Sequence, residues 1–219
     1  MVLWIGASLA FLEASKREGT MTMPSDNKPQ HRPNIMFSHF GFAVHDMDKM
    51  EEFYTRVLGF TVTDRGNVGE MGLVFLSRNP NDHHQVVLVS GKPDNIPPNP
   101  YIPQFGSVIN QISFKVATLQ QLREIYDILQ LENVQSIMPS NHGVAWSIYC
   151  HDPEGNNLEF FVDTDWYFPQ PFLVPLDLDK SDEQIMTETE SMCQEQEGFE
   201  LYSAWRERIS AEMNQYVPA

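Results

Sequence analysis

Cysteine is scarce in this sequence: its 219 residues include two, Cys150 and Cys193. Two cysteines do not build the framework of several bridges found in small secreted domains, and neither lies in a CxxC or other spacing that binds zinc. These absences exclude a disulfide-stabilised scaffold and a zinc finger. They favour a reducing compartment, so we expect a cytoplasmic protein.

Basic residues are also few. Lys and Arg number 14 against 30 Asp and Glu, which gives a formal net charge of −16. No stretch gathers enough Lys or Arg to neutralise a phosphate backbone, so nucleic acid is excluded as a partner. The acidity is regional, because 13 acidic and 3 basic residues lie from Asp163 onward.

Hydrophobic runs long enough to span a membrane are absent from the sequence. The opening stretch 1–19 has an apolar run of about eleven residues, which no basic residue precedes and which is shorter than the ~20 residues of a membrane span. The polar, proline-containing stretch 20–34 follows it. We therefore expect no membrane association and a flexible N-terminal extension over 1–35. A non-standard targeting signal is the alternative.

A repeat with an offset of 72 residues organises the rest of the chain. The stretch HFGFAVHDMDKMEEFYTRVLGF at 39–60 is echoed by QISFKVATLQQLREIYDILQLENV at 111–134. Matched positions keep apolar character, as Phe42 and Phe114 do. Alternation at the start of each copy predicts a strand, and the helical period that follows predicts an amphipathic helix.

Three short β-type runs separated by turns follow each helix, so the order βαβββ occurs twice. The sequence predicts an α+β fold, in which paired βαβββ modules at 36–91 and 107–165 form a curved, cup-like mixed sheet. Together they make one domain, 36–165. The proline-rich segment between the modules reads as a crossing linker.

A C-terminal extension with helices is predicted over 166–219. Ser181 and Gln184 have the spacing of a capping box, which marks the start of one helix. A further amphipathic helix is predicted within FELYSAWRERISAEM at 199–213. We expect this extension to pack against the module pair or against a partner subunit.

Strand alternation directs side chains from separate strands toward one concave face. In HFGFAV this face receives His39, in QISFKV it receives Gln111, and in NLEFFV it receives Glu159 and Phe161. A carboxylate in a largely apolar cup needs a cation or strong donors. An imidazole and a carboxylate on neighbouring strands can bind Fe(II), Mn(II), Zn(II) or Ni(II). The alternative is that Glu159 is salt-bridged or solvated.

Four stretches together resemble the vicinal oxygen chelate superfamily, which includes glyoxalase I, bleomycin-resistance proteins and extradiol ring-cleaving dioxygenases. They are SHFGFAVHDMDKMEEFYTRVLGF, HHQVVLVSG, INQISFKV and HGVAWSIYCHDPEGNNLEFFVDT. The resemblance implies metal ligation by His39 and Glu159. It puts Gln111 at the first-strand ligand position of the second module, and Gln85 at the last-strand ligand position of the first.

The second module is most similar to type I extradiol enzymes, the biphenyl-2,3-diol 1,2-dioxygenase-like proteins. That resemblance implies that His142 assists proton transfer and oxygen activation, that Tyr149 contacts the substrate, and that Fe(II) and O2 take part. The chain departs from the pattern at Gln111, where extradiol enzymes have a second histidine. An amide oxygen is a weaker donor than imidazole, so this site would hold iron less firmly and favour Lewis-acid work.

Three functions follow as hypotheses, each with a small-molecule substrate or ligand. The first is an extradiol-dioxygenase-like enzyme for a catechol-type or other vicinal-oxygen aromatic compound, the second a glyoxalase-like isomerase or lyase, and the third a metal-free binding protein of the resistance type. Gln85 or His83 is a further candidate ligand, and Trp146 and Phe161 are candidate pocket walls, although core packing explains such aromatics equally. A homo-oligomer is compatible with all three.

Overall fold

The computed structural model of the protein describes residues 35–95 and 109–214. The first module contains these elements: β1 Phe40–Val44, α1 Met47–Glu52, a π-helical continuation Phe53–Val57, β2 Thr61–Val68, β3 Met71–Ser77 and β4 Val86–Ser90. The second module repeats the order: β5 Ile112–Lys115, α2 Leu119–Leu131, β6 Gln135–Asn141, β7 Ala145–His151 and β8 Asn157–Asp163. The twofold βαβββ order predicted from the repeat is confirmed.

Each module forms its own mixed sheet. In the first the strand order is β1-β4-β3-β2, with β1 parallel to β4, and in the second β5 likewise pairs in parallel with β8 at the edge. Within the described residues the α+β fold is built from two such mixed sheets, because β1 and β5 share no ladder and are both edge strands. The modules meet instead through side chains, as Phe60 and Phe114 do with ring centroids 5.7 Å apart.

Helix stripes and strand alternation define the core as the sequence predicts. On β1, Phe42 and Val44 are buried while Gly41 and Ala43 are exposed. On α2, Leu122 and Leu129 have no exposed surface. The one-sided apolar stripe of each helix thus packs on one face of its sheet, and the other face is left for a site.

The two modules are also joined by a buried carboxylate. Glu154, in the turn before β8, accepts hydrogen bonds from the backbone N–H groups of His45 at 2.7 Å and Asp46 at 2.9 Å, just after β1. Lys92, just after β4, donates to the same carboxylate at 2.9 Å. One side chain of the second module therefore ties down both strand ends of the first.

In its described part the extension contributes five further elements: β9 Trp166–Tyr167, β10 Val174–Pro175, α3 Asp182–Gln194, β11 Glu200–Leu201 and α4 Tyr202–Asn214. The capping box is present, with Ser181 and Gln184 bonded reciprocally. β10 adds to the edge of the second sheet beside β6. Both helices expected in the extension are confirmed, and the extension packs on the second module.

Two predicted segments lie largely outside the residues that the structure describes. The N-terminal extension predicted at 1–35 lies, except for Ile35, outside the described residues, and so does most of the predicted linker, 96–108. Among the helices of the described ranges, none combines the length and the apolar character that crossing a bilayer requires.

Candidate functional site

Glu159 on β8 is 7% exposed and lies in a cradle of neutral donors. Its Oε2 accepts from the Ser113 hydroxyl at 2.6 Å and from Gln111 Nε2 at 3.0 Å, and its Oε1 accepts from the Ser147 hydroxyl at 2.8 Å. The register explains this, since Ser113 on β5 lies directly beside Glu159. Within the described ranges no basic side chain pairs with Glu159. Hydroxyl and amide dipoles therefore stabilise its charge.

A tyrosine and a histidine extend this cradle. Tyr149 on β7 faces Glu159 across the ladder. Burial raises the pKa of Tyr149 well above its ordinary value, and the neighbouring Glu159 carboxylate adds to the shift. The Tyr149 hydroxyl lies 3.0 Å from Nε2 of His142, which follows β6. Glu159, Tyr149 and His142 thus lie in series across three adjacent strands, and the hydrogen bond between Tyr149 and His142 can relay a proton.

The series opens into a cavity of about 280 Å³. Phe161, two residues beyond Glu159 on the same face of β8, forms part of its wall. The extension supplies Gln170 and Tyr202 to the lining, so residues beyond the paired modules close the site. Ser113 and Ser147 could have been found from alternation. Gln170 and Tyr202 could not, because only the docking of the extension brings them here.

The remaining predicted residues lie elsewhere. His39, just before β1, contacts Ser38 at 3.1 Å and the His84 ring at a centroid distance of 4.1 Å. Within the described part of the chain no hydrogen bond or ion pair joins His39 to Glu159. His83 lies 2.9 Å from His84 between Nδ1 atoms. Burial lowers the pKa of His84, and the neighbouring His39 and His83 rings add to the shift.

Gln85 and Trp146 have partners of their own. The Gln85 amide accepts from the Arg78 N–H at 3.0 Å and donates to Asp82 at 3.4 Å. Trp146 lies on the face of β7 opposite Ser147 and Tyr149, and its indole N–H donates to Thr189 at 2.9 Å. The structure therefore brings together Gln111, Glu159, Tyr149, His142 and Phe161, and leaves His39, His83, Gln85 and Trp146 outside that cluster.

Glu159, Gln111 and His39 are the side chains that the sequence offers as ligands of a divalent cation. Carboxylate, amide oxygen and imidazole are all ligands of such ions. Glu159 and Gln111 are already in contact, while His39 belongs to the other module. In the described ranges no group of three His, Cys, Asp or Glu side chains is gathered as a metal site. The donor types of Glu159, Gln111 and His39 fit a divalent cation, and among these three the structure brings Glu159 and Gln111 into contact.

Comparisons with known proteins agree with this architecture. The chain is 28% identical over 127 residues to biphenyl-2,3-diol 1,2-dioxygenase 2 of Rhodococcus globerulus, covering 58% of this chain and 62% of that protein. It is 27% identical over 129 residues to biphenyl-2,3-diol 1,2-dioxygenase 3 of the same organism, with the same coverage. The match thus spans less than two thirds of these relatives.

A solved structure from Frankia sp. EAN1pec, a glyoxylase/bleomycin resistance protein/dioxygenase domain, superposes with a TM-score of 0.51 at 17% identity. It covers 60% of this chain and 100% of that one, and it supports the fold alone. A family model described as Glyoxalase/Bleomycin resistance protein/Dioxygenase superfamily matches residues 36–160. The paired βαβββ modules over that range, together with this match, establish that the chain belongs to the glyoxalase/bleomycin resistance protein/dioxygenase superfamily.

Proposed function

We propose that this protein is a metal-dependent enzyme of the extradiol-dioxygenase type, acting on a catechol-type or other vicinal-oxygen aromatic compound. The observation that carries the proposal is the hydrogen-bonded pair of His142 and Tyr149 beside Glu159, all three of which line the cavity. The names of the two Rhodococcus globerulus relatives agree with it, since both describe enzymes for a diol with neighbouring oxygens.

Glu159, Gln111 and His39 would hold the metal, with Fe(II) first among Fe(II), Mn(II), Zn(II) and Ni(II). Bound there, the ion would polarise two neighbouring substrate oxygens and, as Fe(II), supply electrons for O2 chemistry. The neutral donors around Glu159 fix the orientation of its carboxylate.

The protein's own residues prepare the proton transfer. His142 Nε2, 3.0 Å from the Tyr149 hydroxyl, is the base that receives a substrate proton through that hydroxyl. Phe161 offers an apolar wall against an aromatic ring. The cytoplasm is part of the same proposal, because both cysteines are free and buried thiols.

Oxygen uptake tests the proposal directly. Purified protein is reconstituted with Fe(II) under anaerobic conditions and mixed with aerated solutions of catechol, 3-methylcatechol and 2,3-dihydroxybiphenyl. We expect uptake of one O2 per diol and a coloured ring-cleavage product. His142→Gln should lower kcat by roughly 10²-fold or more, as expected when a general base is lost. Stoichiometric metal binding without uptake by any diol would reject the dioxygenase.

A specific observation favours each alternative. Gln111, in contact with Glu159, stands where a second histidine is expected, and a site with two oxygen donors suits Lewis-acid work on a carbonyl. Turnover of a thiol adduct without O2 uptake would support this isomerase or lyase.

The full set of neutral donors on Glu159 favours a metal-free binder. Failure to bind any of the four metals, with retained affinity for an aromatic ligand, would support that function.

A further inference from the structure

The imidazole of His142 is held at both nitrogens by partners of different kind. Its Nδ1 lies 2.6 Å from the backbone carbonyl oxygen of Phe172, and its Nε2 lies 3.0 Å from the Tyr149 hydroxyl. A carbonyl oxygen can only accept a hydrogen bond, so Nδ1 must carry a proton. In the neutral ring Nε2 then carries none, and it accepts the Tyr149 proton.

The backbone of Phe172 is in turn held by the side chain of Gln170, through the Phe172 N–H. The Gln170 Nε2 donates to the backbone oxygen of His142 at 3.0 Å, and its Oε1 accepts from the Phe172 N–H at 3.1 Å. A second acceptor, the Phe168 oxygen, also lies on the Nε2 side at 3.4 Å. All three contacts fix the same orientation of the amide, because carbonyls face its nitrogen and an N–H faces its oxygen.

We propose that Gln170 is a positioning residue: it clamps the extension onto His142, fixes the Nδ1-protonated tautomer, and so makes Nε2 the proton acceptor at the cavity. Its catalytic consequence rests on the proposed function. As a substrate O–H bond breaks, that proton moves to the Tyr149 oxygen while the Tyr149 proton forms the Nε2–H bond. The resulting imidazolium still donates from Nδ1 to the Phe172 oxygen.

The clamp lies outside the part of the chain that the family model matches, which ends at residue 160. Gln170 and Phe172 belong to the extension between β9 and β10. The extension therefore acts on the proton chemistry of the site as well as covering it. A protein cut after β8 would keep His142, Tyr149 and Glu159 but lose the group that selects the tautomer.

Nitrogen NMR measures the tautomer without any turnover. We would record long-range ¹H–¹⁵N spectra of the full chain with ¹⁵N-labelled histidine, assigning His142 with His142→Gln. The expected wild-type pattern is a single tautomer with the proton on Nδ1. Gln170→Ala should give a mixture of both tautomers. Gln194→Ala, which removes an exposed glutamine from α3, is the matched control and should keep the wild-type pattern.

Kinetics separates this inference from the proposed function. With an active diol, Gln170→Ala should lower kcat by roughly 10-fold or more with KM changed less than about 2-fold, because proton transfer and not binding is affected. Gln170→Glu keeps the oxygen that accepts from the Phe172 N–H but loses the N–H that donates to the His142 oxygen. If circular dichroism shows that the alanine variant does not fold, the glutamate variant is used for the test. A wild-type ring protonated on Nε2, or an unchanged tautomer in the folded Gln170 variants, would overturn the inference. Absence of turnover with every diol would reject only the proposed function.

Discussion

Glu159 interrupts the apolar run 158–162 of β8, and its neighbours explain how the fold tolerates a carboxylate there. Burying an ionised carboxylate is costly unless hydrogen bonds replace its water. Three donors do so, one each from the Ser113 and Ser147 hydroxyls and one from Gln111. The charge is thus kept available at the cavity by side chains that are neutral themselves.

Removing one of these donors should cost stability. Ser147→Ala takes away the hydroxyl that bonds Oε1 of Glu159, and a hydrogen bond to a charged group contributes about 1.5–3 kcal/mol. Ser140 is the matched control: it is a buried serine paired with Ser147 across the β6–β7 ladder, and its hydroxyl reaches only the Met138 oxygen at 3.4 Å. We expect Ser140→Ala to cost less than about 1 kcal/mol. Urea unfolding measures the loss of unfolding free energy in both variants. Equal losses would mean that the Ser147 hydroxyl does not stabilise Glu159.

The two buried thiols should be inert in the native protein. Burial, with the Asp152 charge adding to it, raises the pKa of Cys150 to about 12, and burial with the Glu190 charge raises that of Cys193 to about 11. At pH 8 the native protein should react with a thiol reagent roughly 100-fold more slowly than the urea-unfolded chain, because the thiolate is the nucleophile. Fast native labelling of either cysteine would contradict this.

The same shifts predict how stability changes at alkaline pH. Both pKa values are higher in the folded protein, so Cys150 and Cys193 ionise first in the unfolded chain. Their contribution is fully present below pH about 9 and is lost as pH rises toward 12. Cys150→Ala should flatten that decline. If the unfolding free energy of Cys150→Ala fell with alkaline pH as steeply as that of the wild type, the raised pKa of Cys150 would be contradicted.

At the scale of elements, the sequence predicts what short-range periodicity determines. The stripe of α2 and the alternation of β1 follow from burial on one side of each element, so both could be read directly. The division of the 47–57 helix into α1 and a π-helical continuation could not, because a π turn leaves no periodic signal of its own. The strand β10 was not predicted either, because two residues are too few to show a periodic pattern.

Helix α3 is attached to the site through one hydroxyl. Thr189, with no exposed surface, accepts from the Asn141 amide at 2.8 Å and from the Trp146 indole at 2.9 Å. Trp146 therefore serves the docking of α3, although sequence reasoning offered it as a pocket wall. Because Asn141 directly precedes His142 in the chain, this contact also fixes the position of His142.

Thr189→Val keeps the shape of the side chain and removes the acceptor. Two buried donors are then left without that acceptor, at about 1–3 kcal/mol each, so the unfolding free energy should fall by about 2–6 kcal/mol. Thr187→Val, at an exposed position of the same helix, is the control and should change it by less than about 0.5 kcal/mol. Hydrogen exchange of α3 amides should quicken only in the first variant. Similar exchange in both would show that the hydroxyl does not hold the helix.

Gly143 is a second contact between the extension and the second module. It has φ of +77°, and a Cβ there would lie 2.2 Å from Phe168 Cε1. Gly143→Ala should therefore displace the extension and cost more than about 3 kcal/mol, through both strain and overpacking. Gly155 has φ of +80° with no atom within 4 Å of a Cβ, so Gly155→Ala isolates the backbone cost of roughly 1 kcal/mol. Thermal unfolding compares them, and equal shifts in Tm would contradict the close contact.

At the scale of the whole molecule, the parts of the site differ in how far they could be predicted. Gln111, directly before β5, and Glu159, on the neighbouring strand β8, belong to one module. The alternation of its strands predicts that the two side chains face the same side, and a hydrogen bond joins them. His39 belongs to the other module, and how two modules meet depends on contacts between distant residues that periodicity does not encode. Gln170 lies in an extension outside the repeat altogether. The proposal that His39 joins the metal site is therefore also a proposal about how the modules meet.

The contact between modules should be sensitive to acid. Burial alone would raise the pKa of Glu154, but hydrogen bonds from the Asp46 N–H, Lys92 and the His45 N–H outweigh it and keep the pKa below its ordinary value. A carboxylate whose pKa is lowered on folding stabilises the protein above its unfolded pKa of about 4.3 and loses that contribution as pH falls below it.

Glu154→Gln should therefore destabilise the protein by about 1–3 kcal/mol at pH 7, because it removes the charge that Lys92 and two backbone N–H groups share. The difference from the wild type should shrink as pH falls below about 4.3, because Glu154 of the unfolded chain then takes up a proton that the folded carboxylate, with its lowered pKa, still resists. Glu197→Gln, at an exposed position in the extension, should leave the unfolding free energy unchanged at both pH values. Urea unfolding at pH 7 and pH 3.5 measures this, and a difference that stays constant between them would mean that the charge of Glu154 does not join the modules.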